Sequence, residues 1–481
     1  MQNTINSGAF APYSVTLLPP RVAAGERGSV VSLMEPVRRI LALLLIFLLL
    51  SVEGSLQTSV IWNRAAAWTP WLRKIGPLSL ADFIIIAVTL FTAVQVGLHH
   101  SVPRSGYLRV CALAAAYLGI GLLYNLFVYR LWKTFLYDAK AVLYLTVPYL
   151  FLYSSRRSRI SGWFTTTRIF VYAAIAGLLD AVVVNLWGRS EYPSYFGLPA
   201  LQPLLPLPVE FIGVVFAAKP SHKALFSLLL LVDLLNLANR LSFGSLFNLA
   251  AAVLLLLAVY PRSAFSIRWT RVLAALLAVN VVYTLLVLNP LSIPYLSTKA
   301  GGFGTRQIQI ENAWLNAGNN IPGVIGKGLG STWFEYVRIP EADIYSVGTS
   351  VGPTSEQAMV APVKFVFNAG PPSLLHKWGV LGTVLLALFI TGFYVRCERG
   401  IELLSLVQRN KRRTRFLTAV LLVSFVFTMD NFAYIGILKT SLMTSLLAFY
   451  VEDQVRKGLA AVAHRAPGSS PLQGAELDKC A

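Results

Sequence analysis

Acidic residues, histidines and cysteines are all scarce in this chain of 481 residues, which holds 21 Asp and Glu, five His and three Cys. Cys111 lies in an apolar run, Cys397 beside a basic loop and Cys480 near the end, a spacing that builds neither a disulfide framework nor a zinc site. No HExxH stretch or clustered His/Cys set occurs, and Glu341-Ala-Asp343 alone is weak as a cation site. Neither a metal nor a cofactor is expected. Charged residues of any kind make up only 13% of the chain.

Apolar residues fill the space the charges leave. They amount to 56% of the chain, with a mean hydropathy of +0.63. That composition belongs to a polytopic membrane protein, so the lipid bilayer is its first partner. The 41 Lys and Arg leave a net charge of +20. They cluster in short loops between apolar runs, which orients membrane helices, so nucleic acid is not expected as a partner.

A spanning helix needs about 20 apolar residues. Runs fall near 40–60, 78–97, 108–129, 139–154, 168–187, 203–218, 223–239, 244–260, 271–289, 373–395, 415–430 and 433–451. The expected architecture is an all-α polytopic membrane protein of about twelve transmembrane helices. Basic loops at Arg38–Arg39, Arg104, Arg156–Arg159, Lys219–Lys223, Arg262–Arg271, Arg409–Arg415 and Arg456–Lys457 place both termini on the cytoplasmic side. Arg64, Arg73 and Lys74 dissent in the first outer loop. The divisions are a cytoplasmic segment 1–37, helices one to nine over 38–289, an outer loop 290–372, helices ten to twelve over 373–452, and a cytoplasmic tail 453–481, expected to be disordered. Residues 1–37 carry no signal-peptide core, so the first helix is expected to act as the insertion signal.

The outer loop holds the most suggestive polar stretch. Arg306 opens a pattern with Ile310, Ala313, Trp314 and Ala317 on one helical face. Sharing that face, the arginine is expected to point where the helix packs, toward the bundle or the headgroups. A guanidinium there suits a diphosphate, because its planar fork donates two parallel hydrogen bonds. An interfacial anchor is the competing reading. Downstream, Pro322-Gly-Val-Ile-Gly326-Lys327-Gly328-Leu-Gly330 permits positive φ at Gly326, Gly328 and Gly330. Its amides suit an anion-binding nest, a plain turn being the alternative. Glycine follows Lys327, which excludes a phosphate-binding P-loop. Arg240, and Arg130 with Lys133, end apolar runs on the same predicted side and add positive charge. His376, at the mouth of the tenth run, is a candidate general base toward a sugar hydroxyl, or a structural histidine. Asp82, Asp138, Asp180, Glu210, Asp233 and Asp430 fall in or beside apolar runs, where acids pair or work. Glu210 and Asp430, nearer the outer half, are further candidates for base or acceptor binding.

These segments together resemble the O-antigen ligase and O-antigen polymerase family of bacterial envelope proteins. The likeness rests on Ser242-Phe-Gly244-Ser-Leu-Phe-Asn-Leu opening the eighth run, on Arg306 through Ala313, on Pro322-x-x-x-Gly-x-Gly-x-Gly330, and on Leu374-Leu-His-Lys-Trp-Gly379-Val-Leu-Gly382. Asp138-Ala-Lys-Ala-Val-Leu-Tyr-Leu is a lesser element. The resemblance covers roughly 220–395. Phe243 stands where the family has arginine, with Arg240 three residues earlier, and Asn368 and Pro371–Pro372 replace its histidine–asparagine pair.

The resemblance implies a metal-independent, GT-C-like glycosyltransferase of the bacterial inner membrane. Arg306, Arg240, Arg130 and Lys327 would bind the diphosphate of a polyprenyl-diphosphate-linked glycan donor, and a lipid-linked or other glycan acceptor would attack. Chain-length regulator and export proteins are the further partners implied. Polymerisation of repeat units is the expected activity; ligation to a lipid or protein acceptor is the near alternative. A transporter fits the span number but lacks the internal repeat common among transporters. A metal-dependent enzyme using a polyprenyl-monophosphate sugar is opposed by residues 62–80, which hold one acid-free stretch from Trp62 to Leu80.

Overall fold

The computed structural model describes residues 24–51, 74–75, 78–99, 106–156, 158–187, 207–217, 219–240, 308–317, 321–337, 363–364, 370–407, 411–433 and 438–463. In chain order the helices are α1 (Ala24–Leu50), α2 (Leu80–His99), α3 (Gly106–Tyr124), α4 (Trp132–Ser154), α5 (Thr166–Trp187), α6 (Leu207–Phe216) and α7 (Pro220–Arg240). They continue with α8 (308–317), then α9 (Ile321–Ile325), α10 (Gly370–Val407), α11 (Lys411–Ala433) and α12 (Leu438–Ala463). Two antiparallel strand pairs accompany them: β1 (Lys74–Ile75) with β2 (Leu78–Ser79), and β3 (Trp333–Phe334) with β4 (Val363–Lys364).

Three stretches are long and apolar enough to cross a membrane: Gly106–Val128, Thr134–Ser154 and Ser373–Ser405. Leu80–Gln95 and Thr166–Ala176 are shorter apolar helices. The runs expected at 244–260 and 271–289 lie outside the described residues. The first helix differs from the run expected at 40–60. It starts at Ala24 and ends at Leu50. Its polar turn is braced by Glu35, which pairs with Arg38 at 2.9 Å and Arg39 at 3.5 Å, one turn apart on the same face.

Helix α4 packs on α2, α3 and α12, while α10 packs on α3, α9, α11 and α12. Pro148 interrupts the hydrogen-bond ladder of α4, and neighbouring helices make good the loss. The Tyr149 N–H donates to Ser445 Oγ at 2.8 Å, and Tyr107 donates to the Leu145 carbonyl at 3.1 Å. Two turns further along α12, the Tyr149 hydroxyl donates to Glu452 at 2.5 Å, and Glu452 pairs with Arg456 at 3.2 Å. Asp82 likewise has a structural role. It makes a reciprocal capping box with Ser79 at the start of α2, at 2.8 and 3.2 Å, and lies 3.6 Å from Lys140.

The site is positioned where α3 and α10 cross. Tyr117 stacks on Trp378, centroids 4.5 Å apart, and its hydroxyl donates to the Trp378 carbonyl at 2.8 Å. Gly382 lets the helices approach: a Cβ there would overlap the Tyr117 hydroxyl. Gly392, farther along α10, has open space around it. Gly382→Val is therefore expected to destabilise the folded protein by about 1–3 kcal/mol. Gly392→Ala should leave stability within about 0.5 kcal/mol. Thermal unfolding of both variants in one detergent checks the contrast.

Candidate site at the membrane interface

Two helix irregularities open the site. The last turn of α3 widens into a π-turn over Asn125–Tyr129, closed by the Arg130 N–H on the Asn125 carbonyl at 3.0 Å. Arg130 is left-handed at φ 53°, a conformation uncommon for a residue with a Cβ, and its side chain is exposed. On the other side α10 breaks at Gly379, where φ is 65°. Beyond the break, the stretch from Val380 to Glu398 rises about 27 Å, close to the roughly 30 Å hydrocarbon thickness of a bilayer. Arg396, Glu398 and Arg399 mark its far end. Gly379 lies near one end of the apolar stretch Ser373–Ser405.

The Gly326–Gly330 turn is seated in that break. Gly326, Gly328 and Gly330 have φ of 92°, 82° and 85°, as their residue type suggests. Space also demands glycine. A Cβ on Gly326 would overlap the Lys377 carbonyl, and one on Gly330 would lie 2.6 Å from Asn125 Nδ2 and 2.9 Å from Phe135 Cα. Of the two readings, anion-binding nest or plain turn, the amides fit the turn. Lys327 N–H donates to the His376 carbonyl at 2.9 Å, Gly328 N–H to the Lys377 carbonyl at 3.0 Å, and Gly330 N–H to Asp138 Oδ2 at 2.7 Å. They are consumed in fastening the turn, because the broken start of α10 presents carbonyls to it.

Asp138 is the fastening point. One carboxylate oxygen accepts from Gly330 and the other from Lys377 Nζ, both acid and lysine being buried. Asn125 adds a second clamp, donating to the Leu329 carbonyl at 2.8 Å and to Gly121 at 3.0 Å. Neither Lys377 nor Asn125 was singled out as functional by sequence. The signal was present, since a lysine entering one apolar run and an acid in another call for pairing.

The predicted residues divide into two groups. His376, Lys327 and the three glycines meet in this turn, and Arg130 lies five residues before Phe135, on which Gly330 packs. His376 is buried, and its Nε2 lies 3.0 Å from the Thr332 carbonyl. That contact makes Nε2 the protonated nitrogen and Nδ1 the acceptor nitrogen. Lys327 is half-buried, and burial lowers its pKa from the ordinary lysine value. Glu210 belongs elsewhere, fully buried on α6 and facing Asp233 of α7. Asp430 is on α11 and Arg240 ends α7, their side chains outside the described residues. Arg306 is likewise outside them.

The helical face expected for 306–317 is rotated. Gln309, Asn312, Ala313, Asn316 and Ala317 are buried, while Ile310 and Trp314 turn outward. The asparagines cause this by bonding the strand backbone. Asn316 donates to the Phe334 carbonyl at 2.6 Å and accepts from its N–H at 2.7 Å; Asn312 pairs with Val337 at 2.8 and 2.9 Å. Ala313 and Trp333 close a small apolar core with Ile308 and Leu375.

The chain is an all-α, membrane-embedded protein. No protein-family model matches it, and no curated protein is found to be similar to it. Removing either partner of the Asp138–Lys377 pair strands a buried charge, at about 3–5 kcal/mol. Asp138→Ala and Lys377→Met should each lower the unfolding midpoint sharply. The double variant Asp138→Asn/Lys377→Met should recover much of the loss, as double-mutant thermal unfolding would measure.

Proposed function

We propose that this chain is a glycosyltransferase that polymerises polyprenyl-diphosphate-linked oligosaccharide units at the outer face of the bacterial inner membrane. In this reading about twelve helices span the bilayer, both termini are cytoplasmic, and the resemblance to O-antigen polymerases and ligases reflects common descent. The observation that carries it is the Gly326–Gly330 turn, which bears Lys327 and is fastened to the start of the apolar helix α10, in this reading at the membrane surface. A lipid-anchored diphosphate is confined to that level.

The chemistry needs few parts. An acceptor hydroxyl oxygen attacks the anomeric carbon, and the carbon–oxygen bond to the diphosphate breaks. The bonding pair leaves with the diphosphate. Arg306, Arg130, Arg240 and Lys327 stabilise the negative charge gathering there, without a metal. The hydroxyl proton passes to water, since His376 is buried away from an acceptor. Attack opposite the leaving group inverts the anomeric carbon.

Equilibrium binding of polyprenyl diphosphate to the purified protein tests the reading. Arg306→Ala should lose binding and transfer while still inserting in the membrane, and Arg306→Lys should be impaired because a point charge lacks the bidentate fork. Wild-type binding and activity in Arg306→Ala would refute the assignment. The chelator EDTA should leave activity unchanged.

The lowered Lys327 pKa gives this site a pH dependence. The ammonium is charged below its pKa and neutral above it, so diphosphate binding should weaken with rising pH before the ordinary lysine range near about 10.4 is reached. Lys327→Arg should move that alkaline limb upward. An unchanged limb would remove Lys327 from the binding set.

A further inference from the structure

Helix α8 is inside-out for a water-soluble loop. Its buried face carries Gln309, Asn312 and Asn316 with only the small apolar Ala313 and Ala317, and its exposed face carries Ile310 (51% exposed), Trp314 (62%) and Leu315 (45%). The segment that the asparagines hold extends this surface with Phe334, at the end of β3, and Tyr336 beyond it, whose rings meet edge-on at 5.0 Å. Val324 and Ile325 on α9 are also exposed. Such a cluster facing water would be unfavourable by the area law for apolar surface. The Asn316–Phe334 and Asn312–Val337 pairings hold it rigidly in that orientation.

We infer that this face is a membrane foot, inserted among phospholipid chains at the headgroup–acyl boundary. Continuity with the lipid-facing surface of the spans identifies the occupant. Ile308 and Leu375, the latter at the start of α10, both pack on the Ala313–Trp333 core, and the backbone of Val324 and Ile325 lies against Gly379. The exposed Val380, Leu381, Val384 and Leu388 follow directly along the α10 span. Leu126, Phe127 and Val128 form the matching exposed end of the α3 span. Tryptophan and tyrosine are the side chains enriched at this depth. Glu311 shares the exposed arc, and its carboxylate holds the foot at the boundary rather than deeper. A foot so placed sets the height of the Gly326–Gly330 turn relative to the headgroups. The inference stands independently of the transferase reading.

Spin-label accessibility tests it on the full chain in phospholipid nanodiscs. The parent carries Cys480→Ser, its remaining Cys111 and Cys397 being buried. Labels replace Trp314, Leu315 and Tyr336 singly, with Leu388→Cys as the lipid reference and Lys457→Cys as the aqueous reference. Only monodisperse variants with the parent unfolding midpoint are read. The foot predicts high collision with oxygen and low collision with a water-soluble nickel chelate at these three positions, as at Leu388. Nickel accessibility matching Lys457 would overturn it by placing the face in water. Exclusion of both reagents would overturn it by showing the face covered by protein.

Discussion

One carboxylate ties two apolar helices to the glycine turn. Asp138 projects from α4 and accepts from Lys377 on α10 and from the Gly330 amide. A lone acid at that depth would carry a large desolvation cost, and so would a lone lysine. Together, with the glycine amide completing the carboxylate's shell, they become a three-way junction. The glycine turn can then sit against Asn125 and Tyr124 only because no side chain stands in the way. The break at Gly379 belongs to the same arrangement, since it frees the Lys377 carbonyl to receive Gly328.

Much of the helical plan was legible in apolar run length. The runs expected at 78–97, 168–187 and 223–239 correspond to α2, α5 and α7. Positive φ at the three glycines was legible too, because a Pro/Gly cluster announces it. The junction was not. Asp138 and Lys377 lie 239 residues apart, and no local periodicity reports a partner at that distance. Asn312 and Asn316 were passed over for a related reason. Hydropathy counts them as surface, yet their amides substitute for a neighbouring strand and become core. That substitution turned Ile310 and Trp314 outward.

The amides of the glycine turn carry a second lesson. A glycine cluster near a membrane surface reads as an anion nest when only composition is considered. Here the N–H groups of Lys327, Gly328 and Gly330 fasten the turn instead. In the proposed reading, charge recognition falls instead to side chains, Lys327 on the turn together with Arg130, Arg306 and Arg240.

Glycosyl transfer from a lipid-linked diphosphate is the central claim. Its most direct test is incubation of purified, folded protein with a polyprenyl-diphosphate-linked oligosaccharide as sole substrate, resolved by gel and mass spectrometry. The account predicts a ladder in multiples of the oligosaccharide, with one polyprenyl diphosphate released per linkage formed. Intact substrate and no released diphosphate would contradict it.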